Sequence, residues 1–182
     1  MSIVVSMLVP KSGFFIYADK RVVVSAHTWV DTFVKVHAIN KELAAGITGH
    51  AGWGLPLINR LKNSPDQTPS KLIQMIVTAG YDMEYYKINS TITLGGLYDN
   101  GKPFLFMYAS TGKQLLKRSG IISKVATDPL SLTDQCSTYL AEQLQKTGRI
   151  DLSIINTIAY ASELRPNLIS SDYDKVEIFY RP

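Results

Sequence analysis

Residues 13–21 read Gly13-Phe14-Phe15-Ile16-Tyr17-Ala18-Asp19-Lys20-Arg21, an apolar and aromatic run that ends abruptly in charge. A run this short, with glycine at one end and charged residues at the other, is a buried strand over 14–18 whose ionisable groups stand at its exit. Working back, Pro10-Lys11-Ser12-Gly13 reads as a hairpin turn, with Gly13 free to take positive φ, and residues 2–9 form the preceding strand. Working forward, 21–25 is extended and rich in β-branched valine. Residues 32–39 alternate Phe33, Lys35 and His37 against Val34, Val36 and Ala38. A tight turn at Asn40-Lys41 leads into a further strand over 43–48. The first fifty residues are therefore a meander of antiparallel strands.

The period then changes. After Gly49-His50-Ala51-Gly52, the residues Trp53, Leu55, Leu57, Ile58 and Leu61 fit a short helix. Ser64-Pro65 and Pro69 break the pattern, and a second helix begins near Ser70, the N-cap expected from its side chain, and runs to Tyr86. Strands return over 91–98, 104–109, 114–119 and 121–126, joined by turns at Asp99-Asn100-Gly101 and Ser110-Thr111-Gly112. Apolar residues at helical spacing mark 132–146 and 152–164, and 174–180 closes as a strand. Helices grouped in pairs between runs of strands predict an α+β fold, a four-layer αββα sandwich with two stacked antiparallel sheets and helices on both outer faces. With no internal repeat or linker, residues 1–182 form one domain.

Composition narrows the function classes. The chain has 182 residues, 46% apolar, 19% charged and 10% aromatic, a globular balance with enough apolar surface for a buried core. The formal charge of +4 is mild, and the basic residues are scattered. Their densest group, Lys113, Lys117, Arg118 and Lys124, lies in strand-like sequence with no interleaved aromatics, so it reads as a solvated sheet edge and not as a nucleic-acid patch. The three histidines, His27, His37 and His50, lack metal-ligand spacing, and no metal or cofactor is expected. Cys136, the lone cysteine, excludes an intrachain disulfide framework and fits a reducing cytoplasm. The N-terminus lacks a charged leader and is interrupted at Pro10, so neither a signal peptide nor a membrane span is expected.

Several local sequences resemble the proteasome β-subunit and HslV-type peptidases, a family of N-terminal-nucleophile hydrolases. They are Ser2-Ile3-Val4-Val5, the run 13–21, Lys35-Val36, Ala45-Gly46-Ile47-Thr48-Gly49 and Leu94-Gly95-Gly96-Leu97-Tyr98-Asp99. The interval from Asp19 to Lys35, 35 − 19 = 16 residues, is the one that family keeps between its acid and its lysine. The resemblance spans nearly the whole chain and is sharpest over the first fifty residues.

What the resemblance implies is specific. In such enzymes the side chain of the first mature residue attacks, and its own α-amine is the nearby base. Ser2 takes that position once Met1 is removed. Asp19 resembles the acid, Lys35 the lysine it orients, and Gly49 the backbone N–H donor of an oxyanion hole. Ser131 and the Asn167-Leu168-Ile169-Ser170 segment resemble the groups that support the terminal amine, which makes Asn167 and Ser170 candidates too. Ser131 reads equally well as a helix N-cap. Ile47 and Phe33 resemble the walls of the substrate pocket, and their apolar side chains favour small or medium apolar residues before the cleaved bond, with His37 expected close by. Two registers remain open. One extra residue in the turn around Lys11 brings Ser2 to the nucleophile position; the gap-free register brings Ile3 there and makes the chain inactive.

The readings are accordingly a peptidase subunit acting on peptide or unfolded protein, a catalytically silent scaffold of the same shape, and an amide hydrolase for small molecules. The first two imply assembly with copies of itself in a ring or other homo-oligomer, and the first a partnership with an unfoldase. None implies nucleic acid or membrane.

Overall fold

Ser2–Val9 and Gly13–Asp19 form strands β1 and β2, paired antiparallel from Val4 opposite Ala18 to Val9 opposite Gly13. The computed structural model that shows this describes residues 2–25, 28–109, 112–116, 120–128 and 130–180. Strands β3 (Val22–Ser25), β4 (Thr28–Val30), β5 (Val36–Ala38) and β6 (Leu43–Gly49) follow, then helices α1 (Ala51–Lys62) and α2 (Pro69–Tyr85). Next come β7 (Ser90–Leu97), β8 (Pro103–Ala109), β9 (Gly112–Leu116), β10 (Ile122–Asp128), α3 (Thr133–Thr147), α4 (Ile150–Leu164) and β11 (Tyr173–Phe179). One antiparallel sheet is ordered β10-β1-β2-β11, the other β5-β6-β7-β8-β9, and β3 and β4 pair as a separate ribbon.

Alternation along β1 sorts the layers. Ile3, Val5 and Met7 pack with Cys136, Leu140, Ile154 and Ile158 of α3 and α4. Val4 and Leu8 face the other way, against Ala44 and Leu105 of the second sheet. That sheet turns Ile47, Ile92 and Phe106 toward Leu57, Ile58, Leu72 and Ile76 of α1 and α2. Four layers with three apolar seams result, the αββα sandwich expected. Strands covered on both faces explain why β1 and β2 are apolar almost throughout instead of alternating with polar residues. Burial pushes the Cys136 thiol up to about 11, as for a packed structural cysteine.

Four local expectations are corrected. In the first hairpin it is Lys11, at φ 65, that takes the left-handed conformation, while Gly13 lies in β2. A Cβ on Gly13 would stand 2.3 Å from the Ile178 carbonyl oxygen of β11, so glycine serves a close strand approach there. Residues 32–39 are not one strand: β4 occupies Thr28–Val30, only Val36–Ala38 joins the sheet, and the stretch between is irregular. There the Phe33 N–H donates to the Lys20 carbonyl and the Lys35 carbonyl accepts from Ile47 N–H, so the backbone is satisfied outside a strand ladder. Helix α2 is N-capped by Thr68, with Pro69 as its first residue, because proline there loses no helical hydrogen bond; Ser70 is already inside. Ser131 caps nothing: α3 starts from Leu132, after a short 3₁₀ turn over Leu130–Leu132.

Lys113 lies on edge strand β9 and Lys124 on edge strand β10 of the other sheet. Met1, His27, the Ser110-Thr111 turn, Lys117 and Arg118 lie outside the described residues. Among the described residues no helix is long and apolar enough to cross a membrane, and no acidic, histidine or cysteine cluster could hold a metal.

Candidate active site

The site forms where β1 begins, β2 ends and β6 ends. Because side chains alternate along β1, Ser2 shares a face with Val4 and turns toward the second sheet, whereas Ile3 is buried beneath α3 and α4. Ser2, not Ile3, therefore lines the cleft at this edge, a cavity of about 600 Å³ that Lys35, Phe33, Ile47 and Gly49 also line. The three-residue turn over 10–12 fixes this register by setting Val9 opposite Gly13.

Beneath Ser2 lies a buried ion pair. Asp19, with no exposed surface, accepts from Lys35 Nζ at 2.7 Å, and Lys35 is only 3% exposed. The carboxylate also accepts the backbone N–H of Ile3 at 2.9 Å, of Arg21 at 3.0 Å and of Ser170 at 3.4 Å. Lys35 Nζ donates in addition to the Arg21 carbonyl at 2.5 Å. Burial pulls the lysine below its usual pKa, against the opposing pull of Asp19. Burial likewise pushes the Asp19 carboxyl up, while Lys35 and the Ile3 and Arg21 N–H groups hold it down. The hydrogen bonds of Lys35 thus run to Asp19 and Arg21 and not to the Ser2 hydroxyl, with which it lines the cleft.

The Ser2 hydroxyl instead accepts from the Gly49 N–H at 3.2 Å. Gly49 has φ +85, and a Cβ there would stand 2.2 Å from the Asn89 carbonyl oxygen, so this position admits only glycine. The next residue, His50, donates its N–H to Ser90 Oγ at 2.7 Å and caps α1 by accepting Trp53 N–H on Nδ1. A donor aimed at a hydroxyl, with an ammonium behind, is the arrangement an attacking oxygen and a developing oxyanion need.

Not every carried-over residue reaches this place. Ser170 is buried and meets Asp19 through its N–H, while its hydroxyl accepts from Asp172 N–H at 3.1 Å. Ser131 and Asn167 are exposed and do not line the cleft. The turn after α4 directs the Pro166 carbonyl, not the Asn167 side chain, inward to the Arg21 guanidinium. His37 is also away from the cleft, its Nε2 3.2 Å from the Val34 carbonyl oxygen, and burial lowers its pKa. Two features were missed in the sequence. Arg21 is clamped by Asp31 at 2.6 and 2.5 Å and lies 5.0 Å from the Trp29 ring, which steadies the segment that binds Lys35. Residues 86–89, after α2, form part of the cleft wall. The pairing of β6 with β7, which sets Gly49 opposite Ser90, brings them there, and no local pattern encodes it.

Two stacked antiparallel sheets between helix pairs, with a hydroxyl residue at the start of the first strand over an Asp–Lys pair, define the N-terminal-nucleophile hydrolase sandwich. The chain has this fold and is similar to proteasome β-subunits and HslV. No protein-family model matches it. Proteasome subunit beta type-3-B of Arabidopsis thaliana is 26% identical over 138 residues, 71% of this chain and 67% of that protein. Eukaryotic HslV from Trypanosoma brucei superposes with a TM-score of 0.71 at 11% identity, covering 98% of this chain and 99% of that one. Anbu, an ancestral β-subunit, from Yersinia bercovieri gives 0.68 at 14% identity over 97% of this chain and 81% of its own. The Gly-1 mutant of Anbu from Hyphomicrobium sp. strain MC1 also gives 0.68, at 13% identity, over 100% of this chain and 82% of its own. At these identities the solved structures speak for the fold alone.

Proposed function

We propose that the chain is an N-terminal-nucleophile peptidase subunit that cleaves peptide bonds with Ser2 once Met1 has been removed, in a reducing cytoplasm. The observation that carries this reading is the Gly49 N–H at 3.2 Å from Ser2 Oγ, with the buried Asp19–Lys35 pair behind it. In the proposed reaction the freed α-amine of Ser2 takes the hydroxyl proton as Oγ attacks the substrate carbonyl carbon. Lys35 stabilises the developing alkoxide, and Gly49 N–H the oxygen that the carbonyl becomes. The amine then returns the proton to the leaving amine, and water hydrolyses the ester left on Ser2.

Ile47 and Phe33 give this cleft an apolar wall, and a charged substrate side chain placed against them would be desolvated without a partner. Peptides that differ only in the residue before the scissile bond should therefore be cleaved faster after Leu or Ala than after Arg or Glu. The assay uses protein whose intact mass shows Ser2 at the N-terminus. Faster cleavage after a charged residue would show that Ile47 and Phe33 do not form that subsite.

Self-assembly into a ring or other homo-oligomer belongs to the same reading, as does delivery of unfolded chains by an unfoldase. Supporting assembly, Trp29, Tyr81, Tyr85 and Tyr86 are 43–80% exposed, and aromatics of this kind favour subunit contacts. Light scattering at micromolar concentration should give several times the monomer mass; a monomer alone would remove the assembly.

A catalytically silent scaffold is the second reading. It is favoured by the exposed positions of Ser131 and Asn167, which leave the terminal amine without two of its expected neighbours.

A further inference from the structure

Helix α2 ends in a Schellman turn. The Ile88 N–H reaches back to the Met83 carbonyl at 2.9 Å and the Lys87 N–H to the Glu84 carbonyl at 3.4 Å. The residue between cap and turn takes the left-handed conformation, and here it is Lys87, at φ 51. Glycine or asparagine suits that position; a residue with a longer side chain is strained in it. Ile88, the next residue, packs into the core under α1 and α2 and anchors the turn.

The strained residue stands at the candidate active site. Lys87 and Asn89 line the cleft together with Ser2, and the Asn89 carbonyl is the group that excludes a Cβ from Gly49. The charged and titratable residues lining the cleft are Lys35, Lys87, His50 and Tyr86, with no aspartate or glutamate among the described residues. Lys35 is matched by Asp19 behind it, but Lys87 has no ion pair among the described residues. His50 Nδ1 already accepts from Trp53, which leaves Nε2–H as a donor. Lys87 also borders an adjoining cavity of about 310 Å³ that Glu84 lines, whereas no carboxylate lines the cleft itself among the described residues.

We propose that Lys87 is a specificity-determining residue that selects substrates carrying a carboxylate close to the bond held at Ser2, that is, acidic peptides. The proposal rests on the peptidase reading and names its substrate class. It concerns a part of the cleft separate from the apolar Ile47 and Phe33 wall. The carboxylate can come from an acidic side chain or from a free chain terminus. An exposed pair of this kind amounts to a roughly fivefold preference, fading as salt rises.

The test is fluorescence anisotropy at low salt with the Ser2→Ala chain, which removes turnover and keeps the cleft. Labelled peptides carry Leu directly before the central bond and Glu, Gln or Lys in turn at each other position beside it, with amidated ends, and one Gln peptide has a free C-terminal carboxylate. The Glu peptides, the free-carboxylate peptide, or both should bind about five times more tightly than the amidated Gln peptide, and which does so identifies the source. Lys87→Gly should erase that difference while raising the thermal midpoint by ~2 °C, because glycine relieves the left-handed strain. Lys87→Glu should reverse the order in favour of the Lys peptide. Equal binding of all peptides, no binding of any, or a preference that survives both substitutions overturns the proposal. Hydrolysis by the Ser2 chain is read separately. Charge-selective binding without hydrolysis counts against the peptidase reading alone, and hydrolysis without charge selection counts against Lys87 alone.

Discussion

Lys35→Ala should reduce peptide hydrolysis on the order of 10³-fold, because it removes the buried cation that lines the cleft with Ser2. The same substitution should also cost stability, since it leaves the Asp19 carboxylate in the interior without its counter-charge. Removing one partner of a buried pair typically costs about 3–5 kcal/mol. The pH dependence separates the two effects. Without Lys35, burial, the largest influence on Asp19, is opposed only by the Ile3 and Arg21 N–H groups, and the folded-state pKa stays above the ordinary value of about 3.9. The folded protein then binds a proton more readily than the unfolded chain. Stability therefore falls as pH rises from about 4 through the raised folded-state value, and the deficit is full above it. Urea unfolding of the variant at a series of pH values should show the deficit shrinking toward pH 4, while hydrolysis stays absent throughout. A deficit that grows on acidification would mean that Asp19 is held as a carboxylate by its backbone donors alone.

Gly49→Ala should be the most damaging single methyl group. The added Cβ meets the Asn89 carbonyl oxygen at 2.2 Å and Ser90 Cα at 2.7 Å, both backbone atoms, at a φ of +85 that disfavours any side chain. The backbone must move, and with it the N–H that points at Ser2 Oγ. Loss of one such donor costs about 10²–10³ in kcat, or roughly 3 kcal/mol. Gly101→Ala is the matched control, at φ +71 in an exposed turn with nothing within 4 Å of the new Cβ. It should carry the left-handed strain, about 1–2 kcal/mol in urea unfolding, with kcat unchanged. If Gly49→Ala behaves like Gly101→Ala, the Gly49 N–H plays no part in the reaction.

The layers were legible in the sequence because each depends on a local period. Apolar runs bounded by turns gave β1, β2 and β6, and helical spacing gave the four helices close to their observed limits. Asp19, Lys35 and Gly49 were legible through the family resemblance, whose order and spacing they match, and the structure brings them to one strand edge with Ser2. The choice between Ser2 and Ile3 was not legible. It depends on how β1 and β2 pair across the turn at Lys11, where a single-residue slip exchanges the two faces. The irregular stretch before β5 was also hidden. Its alternation resembles a strand, and only the contacts of Phe33 with Lys20 and of Lys35 with Ile47 show why the chain leaves the ladder. Ser131 and Asn167 were placed by resemblance alone, and the turns that carry them face outward. The wall over 86–89 and the Arg21–Asp31 clamp arise from contacts between segments distant in sequence or from loop geometry, which no period reports.

The central claim is that the Ser2 hydroxyl, with its own free amine, is the nucleophile. It is tested most directly by comparing peptide hydrolysis by two preparations of the chain, distinguished by intact mass. One begins at Ser2, and the other retains Met1, so that the Ser2 nitrogen is an amide and cannot accept the proton. Hydrolysis confined to the first preparation, and lost from it on Ser2→Ala, is the predicted result. Equal hydrolysis by both, or none by the assembled chain that begins at Ser2, would contradict it.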